Sequence, residues 1–485
     1  MLDPSYNVVM HLSAKDPRAR AQRIVTYILI AIFVSIGTFL LTRYTQGYKL
    51  DPETLELVQN GLVIAQSEPV KSIATVNNRT QKSTTPSRLT LPIGKHSIEL
   101  NADGYRPWRH SFSIVGSDLI WFNYPLLVPE KIITTRYKTY SDKPLVSQSP
   151  DNKIIITNTK EPNEFLLTKQ DSGIAKDSLI SIPEQILASV DGYALSDINF
   201  APNNRQALFK YKKADDRLYI HVDTKKPENS MLIVPAIKGL HYKDLQFGNT
   251  DGSTLYGLEK TDLYRIEVGS QPSALIIAQD VLEFKSQSDI VSFVQETEAG
   301  TGKDQKPIKR LGYTNSKDRI KFIDNVIGDG PFLLSQAKFK SNLRIAITSG
   351  TETRVYSRVG EDRPIKPRVI DVNANQLAFS GNGRFLSIID GQSVATLDFE
   401  FDKTHKFKFK NALSSDITWL DNFHLGVISG GFAQIIDYDG ANPQDIVEAT
   451  GDMRSFFDSR KKLLFTSSIS NGSLVINKSQ MVVTE

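Results

Sequence analysis

The sequence predicts a mainly β chain: one N-terminal transmembrane helix, a small β-sandwich, and then a seven- or eight-bladed β-propeller. Three observations carry this reading. Residues 24–42 form one run without a charge. Residues 61–128 alternate apolar and polar side chains between turn residues, the period of a half-buried strand. From residue 129 onward a polar turn recurs about every 40–50 residues, the spacing of four-stranded propeller blades. The expected organisation is a basic tail at 1–23, the helix at 24–42, a linker at 43–60, the sandwich at 61–128 and the propeller at 129–485.

Composition narrows the class. With 40% hydrophobic and 23% charged residues the chain has the balance of an ordinary globular protein. Its 29 glycines and 22 prolines suit the frequent turns of an all-β fold. There is no cysteine, which excludes a disulfide framework, a thiolate metal site, an iron–sulfur cluster and a cysteine nucleophile. An exported domain with a sufficient core needs no disulfide, and a cysteine-free one of this size is read as bacterial. Residues 1–23 carry four basic side chains against Asp3 and Asp16, and this net +2 is half of the whole chain's +4. The rest is near neutral and offers no electrostatic footprint for nucleic acid.

The uncharged run is closed by Arg23 and Arg43. At about 1.5 Å per residue, a helix of this length approaches the ~30 Å hydrocarbon core of a bilayer. Its Ser and Thr hydroxyls are tolerable there because they can bond to carbonyls one turn back. The run is longer than a signal-peptide core, and Thr42-Arg43-Tyr44 offers no small-x-small cleavage site, so it reads as an uncleaved signal anchor. Arg18, Arg20 and Arg23 flank it on one side and Arg43 on the other. The positive-inside rule then keeps the N-terminus cytoplasmic and exports the bulk of the chain across the cell membrane.

In the sandwich, Leu62-Val63-Ile64-Ala65 opens a strand, Ser67-Glu68-Pro69 turns it, and Ser72-Ile73-Ala74-Thr75-Val76 follows. Asn77-Asn78 has the composition of a tight hairpin turn. Arg88 to Leu91, His96 to Leu100 and Trp108 to Val115 read as further strands. The Ser67-x-Pro69 turn, Asn77-Asn78, Thr85-Pro86, the run from Leu89 to Gly94 and Gly104-Tyr105 together make this stretch resemble the PEGA domain, a small β-sandwich of bacterial and archaeal surface proteins. Where that family usually has Pro-x-Gly-Ala, this chain has Pro69-Val70-Lys71-Ser72. The resemblance implies a surface-display or carbohydrate-contact module. Trp108, Trp121, Tyr105 and Tyr124 are either core residues or platforms for sugar rings.

In the long region the Asn/Asp/Ser turns fall at 151, 203, 249, 342, 382, 422 and 459. Only the step from 249 to 342 is twice the others, which places a further, degenerate unit near 282–311. Residues 132–137 supply a strand able to close the ring by joining the last blade. Two sandwiches are the alternative reading. The Ser149-Pro150-Asp151-x-Lys153 and Phe379-Ser380-x-x-Gly383 phrases resemble the WD40-like propeller repeats of bacterial envelope proteins, although the Trp-Asp dipeptide itself is absent.

No catalytic constellation emerges. Gly300-Thr301-Gly302-Lys303-Asp304 lacks the first glycine and the final hydroxyl of a phosphate loop and reads as an exposed insertion. Asp437-Tyr438-Asp439-Gly440 lacks the bidentate glutamate of a calcium loop and reads as a hairpin turn. The seven histidines form no metal-binding pair, and there is no Gly-x-Ser-x-Gly elbow. The expectation is therefore a non-catalytic envelope protein with no cofactor. Its partners would be the lipid bilayer and either an envelope polysaccharide or an envelope protein. The alternative is a membrane-tethered glycan hydrolase or lyase with carboxylates at the propeller mouth.

Overall fold

The computed structural model describes residues 17–50, 57–116, 118–140, 144–171, 174–234, 241–269, 272–287, 289–297, 308–315, 319–361, 366–451 and 453–483. They divide into two compact units, 1–127 and 128–485.

The first unit opens with helix α1 (Pro17–Thr45), which extends the uncharged run at both ends so that the flanking arginines are themselves helical. Within it, Ile24–Thr45 buries no side chain, and its best window has a mean hydropathy of 2.5, long and apolar enough to cross a membrane. The Thr42 hydroxyl donates to the Thr38 carbonyl (2.8 Å), and Thr26 does the same to Gln22 (2.9 Å), as the sequence predicts.

Strands β1 (Tyr48–Leu50), β2 (Leu57–Ala65), β3 (Ile73–Val76), β4 (Arg79–Thr84), β5 (Ser87–Pro92), β6 (Gly94–Asn101), β7 (Trp108–Ile114) and β8 (Leu119–Phe122) follow. One sheet runs β1-β2-β5 with β8 parallel to β2, and the other β4-β3-β6-β7. The expected linker thus contributes β1 and the start of β2. Strand β4 is an added edge: its Arg-Thr-Gln-Lys-Ser-Thr is mostly exposed and carries no apolar alternation to betray it. Inward-facing Val63, Ala74, Leu89, Ile98, Leu100 and Trp108 are all buried. The Trp108 ring meets Phe122 and Tyr124 edge-on at 5.6 and 5.8 Å. Trp108 and Tyr124 are therefore core residues.

The family-like turns have visible jobs. Asn77 and Asn78 both take positive φ (48° and 63°), the backbone of a two-residue hairpin turn. Ser67 and Thr85 place their hydroxyls 2.5 Å apart, and the Thr85 hydroxyl also accepts from the Ser72 N–H at 2.9 Å. The Ser-x-Pro and Thr-Pro phrases are thus two halves of one tie.

Among the described residues the second unit is an eight-bladed β-propeller: eight four-stranded antiparallel sheets, seven of them built from consecutive strands. The eighth joins Phe456–Asp458, Leu463–Ser470 and Ser473–Gln480 to β9 (Thr134–Tyr140), which supplies its outermost strand and closes the ring as expected. The degenerate unit is a complete fourth blade, beginning at Val281–Gln287. The Gly300 to Asp304 run, in the connection after its second strand, lies outside the described residues. Asp437 to Gly440 is the expected hairpin turn, between Phe432–Asp437 and Gln444–Glu448. A five-residue helix, α2 (Glu184–Ala188), joins the first two blades.

Apolar clusters lie between blades. One joins Ile156 and Phe165 of the first to Phe209 and Ile220 of the second, and another joins Phe465 and Leu474 of the eighth to Ile155 of the first. Each sheet has two faces to bury, and a ring buries both without leaving an open end.

Candidate functional site

Among the described residues, six of the eight blades build their first hairpin turn the same way, while the fifth turns on Lys340 and Ser341, both at positive φ (49° and 67°). Asp151 accepts the N–H of Lys153 on its side chain, Asn203 that of Arg205, Asp251 that of Ser253, and Asn382 that of Arg384. Asp421 and Asp458 do so in the seventh and eighth blades. This is the Asx turn that short polar side chains favour. In those six blades it explains the periodic marker, and it moves the operative residue from 249, 422 and 459 to 251, 421 and 458. The turns also bond from blade to blade. Asn203 Nδ2 donates to the Asp251 carbonyl (2.7 Å), the Asp289 N–H to the Gly248 carbonyl (2.7 Å), and the Asn382 N–H to Asn422 Oδ1 (3.0 Å). This rim is a structural belt.

Behind it, ion pairs fasten successive strands. Arg384 meets Asp398 at 2.7 Å and Glu400 at 2.6 Å, and Arg205 meets Asp223 at 2.5 Å. In the seventh blade His424 takes the arginine's place, 2.7 Å from Asp421 and 3.5 Å from Asp437. Burial works to raise the Asp421 carboxyl, but His424 and two backbone N–H groups outweigh it and hold the group below the usual carboxylate range. These histidine and acid positions are consumed by folding.

The groups available to a ligand lie on the innermost strands and on the connections entering them. A cleft of about 430 Å³ is lined by Gln148, Asp197, Asn199, Asp416 and Arg454, among others. Asp197, Asn199, Asp416 and Arg454 are exposed. Its walls are held by side-chain-to-backbone bonds between blades. Ser147 donates to the Ile198 carbonyl and Gln148 Nε2 to that of Arg454 (3.2 Å). Asp197 is aimed by the Ile198 N–H and Asn199 Nδ2, at 2.9 and 2.8 Å. A Cβ on Gly451 would meet the Ser414 carbonyl at 2.1 Å, so only glycine lets the two connections approach. A second cleft, about 560 Å³, lies on the other side of residues 412–416 and shares Ser415 and Asp416.

Across the ring, Asp244 and Glu283 occupy the innermost strands of the third and fourth blades. Burial pushes the Glu283 carboxyl up, the Phe284 N–H opposes this, and the Asp244 charge adds to the rise. In the second, third and fourth blades a β-bulge immediately precedes the acid, re-aiming it: the register shifts at Leu195/Asp197, Tyr242/Asp244 and Val281/Glu283.

Sequence reading nominated none of these. A signal was present, because Asp197, Asp244, Glu283 and Asp416 each stand five or six residues before the turn residues Asn203, Asn249, Asp289 and Asn422. The nominated arginines stay apart. Arg18, Arg20 and Arg23 lie toward the start of α1, and Arg43 in its last turn, with its guanidinium over the Phe39 and Tyr48 rings at 5.2 and 5.0 Å.

Residues 60–128 match the PEGA domain family. Comparison with curated proteins gives no match. Among solved structures the chain is similar to the Dos1 propeller, with 14% identity and a TM-score of 0.45 over 73% of this chain and 96% of that one. It is also similar to Hsv2 of Kluyveromyces lactis (12%, 0.40, 63% and 100%) and to oligogalacturonate lyase of Vibrio parahaemolyticus (11%, 0.39, 72% and 98%). These likenesses concern the fold. The class is thus a PEGA domain joined to a β-propeller, with an N-terminal helix long enough to span a membrane, an assembly suited to binding or scaffolding.

Proposed function

We propose that this chain is a non-catalytic, membrane-anchored cell-envelope protein whose propeller binds a polymer or protein outside the cytoplasm. The carrying observation is the cleft that sets Asp197, Asn199, Asp416 and Arg454 around one opening, on walls tied by inter-blade hydrogen bonds. Such a preorganised set of donors, acceptors and opposite charges recognises a polar ligand through several weak contacts. Helix α1, with Lys15, Arg18, Arg20 and Arg23 concentrated ahead of its uncharged run, supports an N-terminus in the cytoplasm and the propeller outside.

The test is retention of the full chain in detergent on purified peptidoglycan, on envelope polysaccharide and on protein partners captured by crosslinking in intact membranes. Retention on one of these, weakened about tenfold by Arg454→Gln with Asp416→Asn, supports the proposal. Equal retention of wild type and variant overturns the assignment of the cleft.

Asp244 and Glu283 on the innermost strands of neighbouring blades, with the Glu283 carboxyl raised chiefly by burial and further by the Asp244 charge, favour a second reading, a glycan hydrolase or lyase, whose chemistry uses a pair of carboxyl groups in unlike environments. It requires release of sugar fragments that Glu283→Gln abolishes. Retention without released fragments removes it.

A further inference from the structure

The end of α1 is not a free tether. The N–H groups of Gln46 and Gly47 close the helix on the Thr42 and Tyr44 carbonyls, both at 3.1 Å. The chain then enters β1 at Tyr48. The Gly47 carbonyl accepts the Asn60 N–H at 2.9 Å, and Gln59 Nε2 donates to the Gln46 carbonyl at 3.0 Å. The helix exit is therefore stapled to β2 at Gln59 and Asn60.

The same Gln59 gathers two turns of the sandwich. Its carbonyl accepts the Ile93 N–H (3.0 Å), placing the turn between β5 and β6 beside it. Its Nε2 lies 3.8 Å from where a Cβ on Gly116 would stand, placing the connection between β7 and β8 there too. Both carry exposed apolar tips: Ile93 is 49% exposed and Val115 73%. Leu119, at the start of β8, is 57% exposed and pairs across the sheet with Leu62. Exposed Lys95 follows Ile93. A soluble turn gains nothing from bare Ile and Val. Beside a membrane-spanning helix, apolar tips with a neighbouring lysine match the interface, where hydrocarbon meets phosphate headgroups.

We propose that this end of the PEGA domain is a membrane foot: Ile93, Val115 and Leu119 enter the lipid interface around the exit of α1, and Lys95 lies at the headgroup phosphates. The partner is the bilayer that α1 spans, so the inference rests on the reading of α1 as a membrane helix. The consequence is a small domain fixed against the surface rather than swinging on a linker.

Because the chain has no cysteine, single labels can be placed without background. The full-length protein is reconstituted into phosphatidylglycerol–phosphatidylcholine vesicles. A polarity-sensitive fluorophore is attached in turn at Phe33→Cys, Ile93→Cys, Val115→Cys and, on the edge strand β4, Lys82→Cys. The expected result is blue-shifted emission and loss of aqueous iodide quenching at positions 33, 93 and 115, with position 82 fully quenched. Position 33 in lipid with 93 and 115 quenched like 82 overturns the foot and leaves the anchor standing. Position 33 in water overturns the anchor and the foot with it. A circular dichroism spectrum unchanged from wild type establishes that each labelled variant is folded.

Discussion

The two units solve the same problem of burying β-sheet in opposite ways. The sandwich closes one core around a single large residue: Trp108 meets His110, Phe122 and Tyr124, and the two sheets share that centre. The propeller has no centre. Its apolar clusters sit between neighbouring blades, and polar ties at the rim and along the channel hold the ring in register. A single-core unit is expected to fail as a whole when its centre is removed. A ring distributes the loss, so its weak points are the groups whose charge is left behind when a partner goes.

Trp108→Ala is the sharpest way to separate the two. It should cost the sandwich about 3–5 kcal/mol. In chemical denaturation followed by hydrogen exchange, strands β2 to β8 should lose protection while the blades keep theirs. Equal loss in both units would mean that they unfold together.

Arg384→Met probes the ring. Asp398 is buried and the Arg384 side chain only 12% exposed, so the variant strands a carboxylate and should cost about 3 kcal/mol, read as a shift in the propeller's denaturation midpoint. The same change at Arg205, which is 40% exposed, should move that midpoint far less. Parity between the two would refute the role assigned to burial.

Acid should weaken the propeller through Asp421. Its carboxyl is held below the ordinary range when folded, so its contribution is complete above the unfolded value of about 4 and is lost as pH falls toward the folded one. Asp421→Asn should flatten the stability profile below about pH 4 while leaving the sandwich's profile unchanged.

The smallest effect belongs to the turn belt. Asn422→Ala removes the side-chain acceptor of the Asn382 N–H and should cost about 1 kcal/mol, with exchange increased at the turns of the sixth and seventh blades. A change confined to one blade would show that the belt does not couple them.

Local chemistry was readable. The apolar run, the Asn-Asn hairpin, the Pro and Gly turns and the repeated Asx phrase all act through their own backbone, so residue identity is enough. Strand β4 escaped because a polar edge strand needs no alternation, and the fourth blade's marker was obscured because its turn carries Asp289 without the Asn or Pro of its neighbours. The acids at the bulges were in view but had no meaning without the ring that gathers them.

What the sequence by itself determined is the set of elements and their period: one membrane-length helix, a sandwich with the turns of its family, and a succession of hairpins. It predicted the closing strand too, since a ring of such units needs one from the start of the region. The blade number was decided by tertiary structure, because β9 and Ser473–Gln480 share no local signal and meet only when the ring shuts. So was the cleft, which assembles Gln148, Asp197, Asp416 and Arg454 from four blades. So was the apolar foot, where Ile93 and Val115 stand beside the helix exit only because Gln59 draws both turns to it. Sequence periodicity specifies which face of a strand is apolar, whereas proximity between distant segments is fixed by the closure of the sheets that carry them.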